Sequence, residues 1–548
     1  SKGYTKKNHT KVVSKPSKSQ SIFYNDVTEK EIYFTSLELG ATVNVQANYD
    51  LHDVSMLTRF YFQSYLPVAH SQLKITFPKQ VDLGFYVAGG AIPDWLIIDS
   101  TETKKEKTIT FTANNLKGLK TYNNMPASAY FMPHIIPVLK SYIDPNTKEK
   151  VSVLGSTQDL YNKCSSFVKD INKSITPEIM QKAKELTQNA KTDEEKAKAI
   201  FNFVQTEVKY VAYEDSLGGF IPREASLVLK RKFGDCKDMS SLLRQLCRAV
   251  DLDARYVWIG TNSLPYSVYK TPFMGVFNHM IASVKVNDKW YFMDGTDPIT
   301  PFGFIPESLQ DQEAFIEKNA TAYEVVKLPV MKANQSVSID STELNLNLDK
   351  KGLDGINAKH LFGYDATSFI INMRYTNEKD KKELFERYTK VGSNKYVQTD
   401  FKYTIPNQNE FLDVAMHSKF LLPDYINTTQ DAIYVNMNVQ KILQTEFIDV
   451  KNNRQVPFEN EYKRTIEEYV ALNVPKGYKV DYFPQPFEVS NEFISVKVVH
   501  QVQGDKVILK KIITIDFLLL NPGDFQKYND VIQQLGAIYK DAVVLKKK

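Results

Sequence analysis

The chain has 548 residues, 43% of them hydrophobic, so it can bury several cores, and its length suggests about three domains. Its net charge of +5 is modest and the basic residues do not gather in one folded segment, which argues against nucleic acid or anionic lipid as a partner. No apolar run approaches the roughly 18 residues of a membrane span, so no integral membrane segment is predicted.

The cysteines and the sequence motifs argue against several kinds of binding site and against disulfides. The three cysteines, Cys164, Cys236 and Cys247, include no CxxC pair, so we expect neither a zinc site nor a disulfide framework. The absence of a P-loop, a dinucleotide fingerprint and a calcium loop leaves no cofactor or metal predicted. The chain begins with Ser1 and carries no signal sequence, which we interpret as a processed or truncated product.

The first predicted domain spans residues 1–155. Its opening, Ser1 to Gln20, carries six lysines among serines and threonines, and we expect it to be solvated and poorly ordered. Beyond it, β-rich runs alternate with turn residues, for example at 42–47, 72–77 and 107–111. These runs predict an antiparallel β-sandwich.

The second predicted domain, residues 156–330, changes to a helical period. Thr176 before Pro177 indicates a helix start, and Thr192 with Glu195 forms a capping-box pattern ahead of an apolar stripe. Helices come first and strands follow, which is typical of an α+β arrangement.

Cys236 lies in this domain, behind a tight Gly234-Asp235 turn and at the start of a helix with apolar positions Met239, Leu242, Leu243, Leu246 and Val250. A thiol at the positive end of a helix dipole is favoured as thiolate, the form that acts as a nucleophile. A lone cysteine is nevertheless more often a small buried hydrophobe than a catalyst. The assignment therefore depends on residues downstream.

Two strands downstream supply a base and an orienting carboxylate. His279 opens the first strand, Asn287-Asp288 makes the turn, and the second strand returns to Asp294. In this register His279 and Asp294 share a sheet face as diagonal neighbours, whereas the rival carboxylate Asp297 points to the other face. Strand parity thus selects Asp294.

The predicted catalytic set is a nucleophile, Cys236, a base, His279, and an orienting group, Asp294. Attack on an acyl group also needs donors for the developing oxyanion. The backbone N–H of Cys236 is the natural first donor. Tyr210 or Tyr213, in the loop upstream, is a candidate for the second.

The third predicted domain, residues 331–548, is β-rich, with few helical stretches and a helix near its end. His360, His417 and His500 lack the spacing of metal ligands, so we interpret them as ordinary surface or core residues.

The residues around the site resemble a known family. Gly234-Asp235-Cys236-Lys237-Asp238, then Asn278-His279, then Trp290-Tyr291-Phe292-Met293-Asp294-Gly295-Thr296 are similar in order and spacing to the transglutaminase-like superfamily, with Gly295 in place of its usual proline. The resemblance implies a papain-like Cys-His-Asp core and carries the catalytic positions onto Cys236, His279 and Asp294. The wider layout resembles exported Bacteroidetes proteins in which DUF3857-like and DUF3858-like domains flank such a core. The stretch from Ser36 to Val43 resembles the late part of that first domain, which implies that the first domain lacks its beginning here.

This resemblance gives the expected fold class, multidomain α+β with a papain-like core between two β-sandwich-type domains. It implies thioester chemistry, with hydrolysis of a peptide or isopeptide amide preferred and transglutamination as a variant. It also implies a peptide or protein substrate and a periplasmic or cell-surface location. The alternative is a catalytically silent binding or structural protein that uses the core as a scaffold.

Overall fold

The computed structural model describes residues 11–17, 22–25, 27–34, 37–214, 219–405, 412–450 and 453–548. The chain forms two compact units. The first comprises Ser1–Leu119, Met132–Pro298 and Asp311–Leu328, and the second comprises Lys120–Phe131, Ile299–Gln310 and Pro329–Lys548. The expected boundaries near residues 155 and 330 stay predictions.

The N-terminal part of the first unit consists of strands. They are β1 (Lys11–Pro16), β2 (Ile22–Asn25), β3 (Thr28–Tyr33), β4 (Phe60–Tyr61), β5 (Val68–Pro78), β6 (Val81–Ala88), β7 (Ile97–Glu102), β8 (Glu106–Leu116), β9 (His134–Ile143) and β10 (Lys150–Ser152). One sheet has the order β5-β8-β7, and a second joins β10, β9 and β4, with β6 also paired to β9.

A shared apolar core holds these two sheets together. Phe111 of β8 and Ile135 of β9 are buried in it, and the rings of Phe85 and Phe111 lie 5.3 Å apart between centroids. Strands with one apolar face are stabilised by such burial, which is why the alternating pattern at 72–77 and 107–111 predicted them correctly. The result is the expected sandwich of sheets.

Two expectations for this region are wrong. Residues 42–47 form no strand, and all six are exposed, so the β-rich pattern there meets no partner to complete a ladder. Lys11–Pro16, expected to be poorly ordered, form β1 and pair with β3, where Lys15 forms ion pairs with Glu29 and Glu31. Residues 1–10 and 18–20 of that predicted segment lie outside the described residues.

The rest of the first unit is an α+β core. Its helices are α1 (Thr157–Ser166), α2 (Pro177–Thr187), α3 (Asp193–Glu207), α4 (Ala225–Arg231) and α5 (Cys236–Arg248). Its strands are β11 (Lys209–Tyr210), β12 (Ala212–Glu214), β13 (Phe233–Gly234), β14 (Asp253–Ile259), β15 (His279–Val286), β16 (Lys289–Met293), β17 (Glu313–Glu317) and β18 (Tyr323–Lys327).

Helix α5 is the centre of this core. It packs against β14 and β15 of an antiparallel sheet with the order β16-β15-β14-β17-β18. Leu242, Leu243 and Leu246 are fully buried, as their helical spacing predicts. The predicted caps at Thr176 and Thr192 are also confirmed, the latter as a capping box with Glu195. Burial on this scale fixes the position of the helix start against the sheet.

The second unit is built on one large sheet. Its strands are β19 (Val337–Asn347), β20 (Gly352–Phe362), β21 (Val397–Thr404), β22 (Asp413–Leu422), β23 (Asn427–Thr428), β24 (Ala432–Val435), β25 (Phe458–Glu459), β26 (Arg464–Asn473), β27 (Tyr478–Tyr482), β28 (Phe487–Ser490), β29 (Ile494–Gln503), β30 (Lys506–Ile515), β31 (Leu519–Leu520) and β32 (Val543–Lys547). Its helices are α6 (Tyr364–Tyr375), α7 (Lys381–Thr389) and α8 (Phe525–Ile538).

Eight of these strands form the sheet β21-β22-β20-β19-β26-β30-β29-β28, in which the β19 and β26 pair is parallel and the others are antiparallel. Side chains alternate between a buried and a more exposed face. On the buried face, α8 shares one apolar cluster with β24 and β32, and α6 and α7 share another with Leu361 and Val414.

A polar row crosses the buried face of this sheet. Its members are at most 2% exposed and are Ser418, Asn357, Asp340, Glu468 and Lys511. Lys511 and Glu468 face each other across β26 and β30 and form an ion pair, and the Lys511 ammonium also donates to the Gln440 carbonyl over 2.7 Å. Asn357 donates to Asp340 over 2.6 Å. Buried charges of this kind require such partners.

The described ranges contain neither a membrane-spanning helix nor a cluster of metal ligands. No helix in those ranges combines the length and the apolar composition that a membrane crossing requires. Within the same ranges, no group of three histidine, cysteine, aspartate or glutamate side chains is arranged to hold a metal ion.

Candidate active site

The start of α5 is built by a reciprocal cap. The Asp235 carboxylate accepts from the Asp238 N–H over 3.4 Å, and the Asp238 carboxylate accepts from the Asp235 N–H over 3.3 Å. Cys236 is the first helical residue and is partly exposed. Its N–H belongs to the first turn, whose amides have no acceptor within the helix. The Cys236 thiol and the backbone amide of the same residue are thus both at the helix N-terminus.

Buried charges lock this turn in place. Asp238 is fully buried and accepts from the Arg223 guanidinium over 2.5 Å and from the Arg223 N–H over 2.8 Å. Lys237 is buried beside Asp235 and pairs with it, while burial and the neighbouring Asp238 raise the pKa of Asp235. A Cβ on Gly234 would lie 2.5 Å from the Asp238 Cβ, so glycine is required there. The loop before α5 is therefore tied to its first turn.

The hairpin β15–β16 has the predicted register. Val286 faces Lys289 and Ala282 faces Met293, and Asp294 follows directly. The His279 Nε2 lies 2.8 Å from the Asp294 Oδ2. Asp297, the rival carboxylate in the sequence, instead offers its backbone carbonyl to the Gln205 side chain. The structure therefore brings together the histidine and the carboxylate that strand parity selects.

His279 also contacts the thiol. Cys236 and His279 line the same cavity, and the thiol raises the pKa of His279. Because the His279 Nε2 is engaged by Asp294, Nδ1 is the nitrogen that remains for the sulfur. Ser240 couples the two elements, since its hydroxyl lies 2.7 Å from the Cys236 carbonyl and 2.9 Å from the Met280 carbonyl. Cys236, His279 and Asp294 form one connected chain.

Opposing electrostatic effects act on the pKa values of His279 and Asp294. Burial lowers the pKa of His279, but the Asp294 charge and the hydrogen bonds to Asp294 and Cys236 outweigh it, and the pKa of His279 lies well above its ordinary value. Burial raises the pKa of Asp294, but His279 and the hydrogen bonds from Thr296 outweigh it, and that pKa is lowered. The site favours an imidazolium beside a carboxylate.

The other two thiols differ from Cys236. Cys164 is 1% exposed and Cys247 fully buried. Burial raises the pKa of both, that of Cys247 to about 12, so both remain protonated thiols near neutral pH. Cys236 is the one that is partly exposed and contacts a histidine.

Tyr210, the candidate oxyanion donor, lies in β11, which pairs with β13 so that Tyr210 is opposite Gly234. Tyr210 is 42% exposed. This places its backbone beside the cysteine turn, and its role as a donor stays a prediction. The side chain of Tyr213, the other candidate, is outside the described part of the structure.

Sequence reasoning missed three residues that support the site. Thr296 donates to the Asp294 Oδ1 from its N–H over 3.0 Å and from its hydroxyl over 2.7 Å. An Asp followed two residues later by Thr is an Asx-turn pattern, so this contact had a signal in the sequence. The Asp238 contact with Arg223 and the Ser240 contact with Met280 had none, because they join segments 15 and 40 residues apart.

Comparisons with known proteins find family models that match three parts of the chain. The transglutaminase-like superfamily matches residues 180–295, which include Cys236, His279 and Asp294. Two domains of unknown function match the flanks, DUF3857 at residues 2–120 and DUF3858 at residues 431–545. No curated protein matches the chain.

The solved structures similar to this chain include the following two. A putative protease from Parabacteroides distasonis has a TM-score of 0.54 at 11% identity and covers 89% of this chain and 74% of its own. A putative cysteine protease from Cytophaga hutchinsonii matches 50% of this chain and 89% of its own, at 13% identity and a TM-score of 0.20. The first likeness concerns the fold alone. Residues 180–295 thus match the transglutaminase-like superfamily, between segments that match DUF3857 and DUF3858.

Proposed function

We propose that this protein is a cysteine hydrolase that cleaves a peptide or isopeptide amide through a thioester. The observation that carries the proposal is the connected chain from the Cys236 thiol through His279 to Asp294, with the thiol at a helix N-terminus. A nucleophile, a base and an orienting carboxylate in hydrogen-bond contact are the parts that acyl transfer needs.

The reaction follows from these positions. The Cys236 sulfur attacks the amide carbonyl carbon and a C–S bond forms, while the carbonyl oxygen takes the negative charge and accepts from the Cys236 N–H. The C–N bond then breaks, and the leaving amine takes the proton of the His279 imidazolium. Water, deprotonated by His279, attacks the thioester, the C–S bond breaks, and the carboxylic acid leaves with the thiol restored. Asp294 holds the imidazole throughout.

The pH dependence tests the role of Asp294. Imidazolium must protonate the leaving amine, so kcat/KM falls as pH rises through the elevated pKa of His279. In Asp294→Asn the charge that raises this pKa is gone, and we expect the alkaline limb of the kcat/KM profile to move to lower pH. The measurement is a peptide hydrolysis profile of both proteins. An alkaline limb at the same pH in both would contradict the assignment.

The pH dependence of protein stability tests the His279–Asp294 pair without any measurement of activity. A raised histidine pKa contributes stability that is present below about pH 6.5, the unfolded value, and is lost as pH rises through the folded pKa. A lowered aspartate pKa contributes stability that is present above about pH 3.9 and is lost as pH falls through its folded pKa. The stability difference between wild type and Asp294→Asn is therefore expected to be largest between these limits.

Selective labelling of the thiol tests the proposal as a whole. Chloroacetamide is added to the intact protein, and alkylation of each cysteine is followed by peptide mass mapping beside His279→Ala. We expect fast labelling of Cys236, at least about tenfold slower in the variant, while Cys164 and Cys247 stay unlabelled because they are buried and protonated. Equal slow labelling of all three would favour the scaffold alternative.

Turnover assays then distinguish hydrolysis from transglutamination. Release of a free carboxylate from a peptide panel supports hydrolysis, whereas incorporation of an added primary amine into the acyl product supports transglutamination. We take the substrate to be a peptide or protein and the location to be extracytoplasmic, periplasmic or at the cell surface. Both assignments rest on the family resemblance.

A further inference from the structure

A cavity of about 110 Å³ opens beside the candidate nucleophile. Cys236 and His279 line it, together with the buried thiol of Cys164 in α1 and apolar side chains of β14 and of the segment before β15. Among these, Trp258, Met274 and Met280 belong to the buried apolar cluster of the core, and Cys236 packs against that cluster. The cavity is thus an extension of the apolar core that reaches the thiol.

The described lining holds no free charge for a polar ligand. The Lys237 ammonium is paired with Asp235, and the His279 Nε2 is engaged by Asp294. The Asn278 amide is used on both sides, since its oxygen accepts from the Thr261 N–H over 2.9 Å and its nitrogen donates to the Thr261 hydroxyl over 2.9 Å. A charged side chain placed here would be desolvated without a partner, at a cost of several kcal/mol.

The volume of the cavity limits which substrate side chains it can receive. An apolar cavity of about 150 Å³ is what holds a benzene ring in a protein interior. The present cavity is smaller, about 110 Å³, so it has room for a branched aliphatic group of valine to leucine size and offers less space than the cavity that holds benzene. Phe167 and Phe220, whose rings stack at 5.2 Å between centroids, form part of its wall.

We propose that this cavity is a specificity pocket that receives one aliphatic side chain of the substrate, of valine to leucine size. The inference rests on the proposed function for its meaning, because it names the substrate class of the same site. Substrates with a branched aliphatic residue next to the scissile amide are held with the carbonyl against Cys236, and those with acidic, basic or aromatic residues there are poorly held.

The test uses alkylation, which needs no turnover. In the reaction of a chloroacetamide with Cys236 a C–S bond forms, the C–Cl bond breaks and chloride leaves. Reagents that differ in the amide substituent, N-methyl, N-isobutyl, N-benzyl and N-carboxymethyl, share one reactive group, and their intrinsic rates are corrected with glutathione. We expect N-isobutyl to label Cys236 at least about tenfold faster than N-methyl, with N-benzyl and N-carboxymethyl no faster than N-methyl.

Two variants sharpen the result. Met274→Ala enlarges the cavity and is expected to raise the N-benzyl rate relative to N-isobutyl. Ile179→Ala removes a buried aliphatic side chain of α2, away from the cavity, and is expected to keep the wild-type order of reagents. Equal corrected rates for N-methyl and N-isobutyl, or N-carboxymethyl as the fastest reagent, would overturn the proposal.

The outcome is independent of the proposed hydrolysis. Selective alkylation without any peptide cleavage would leave the pocket in place and remove the hydrolase assignment. Cleavage of peptides together with no preference among the reagents would do the reverse.

Discussion

Cys236→Ala is expected to lower kcat/KM for peptide hydrolysis by at least about 10⁴-fold, equivalent to about 5.5 kcal/mol of transition-state stabilisation. The reason is that no C–S bond can form, and the water reaction that remains has only the binding site and the oxyanion donors to assist it. The same loss is expected for His279→Ala, because the thiol loses its proton acceptor and the leaving amine its proton donor. Product formation is measured by mass spectrometry on a peptide panel.

The double variant makes this prediction specific. Residues that act as one unit are strongly non-additive, so Cys236→Ala/His279→Ala should be no slower than either single variant. Cys247→Ala is the matched control. Cys247 lies on the same helix, is fully buried and has no role in the proposed mechanism. It should keep wild-type turnover per folded molecule. A double variant whose loss equals the product of the single losses would refute the connected chain.

Lys511→Met should reduce the free energy of unfolding by about 3 to 5 kcal/mol, the usual cost of leaving one partner of a buried ion pair uncompensated. Lys511 and Glu468 are both fully buried, and the ammonium also serves the Gln440 carbonyl. Burial raises the pKa of Glu468, and Asp340 adds to the rise, while Lys511 opposes it. Removing Lys511 therefore leaves the buried Glu468 carboxylate without its counter-ion. Urea unfolding at neutral pH measures the loss.

Two further measurements separate charge from packing. In Lys511→Met the loss is expected to shrink as pH falls, because Glu468 takes up a proton more readily in the folded state than in the unfolded chain, whose glutamates titrate near pH 4.3. The double variant Lys511→Met/Glu468→Leu removes both charges and should recover most of the lost stability. A double variant as unstable as the single one would show that the methionine packs badly and that the charge is not the cause.

Local patterns in the sequence predicted the parts of the site that neighbouring residues determine. Asp235 caps α5, the turn at Asn287-Asp288 sets the hairpin register, and that register places Asp294 beside His279. Each depends on residues within one helix turn or one hairpin, where spacing alone decides which side chains meet.

Contacts between distant segments could not be predicted in this way. The burial of Asp238 depends on Arg223 from another loop, and the cavity beside Cys236 depends on α1, more than 65 residues upstream. The β-rich run at 42–47 shows the opposite failure. Its composition favours a strand, but a strand also needs a partner, and composition does not say whether one exists.

The polar row of the second unit has a consequence for how its strands align. The apolar residues on the buried face of β26 and β30 recur every second position, so a slip of two residues would keep every one of them facing inward. The same slip would separate Lys511 from Glu468 and leave two buried charges unpaired. Hydrophobic burial alone accepts several alignments of these strands, and the ion pair penalises all but the native one. The buried ion pair therefore fixes the register of β26 and β30.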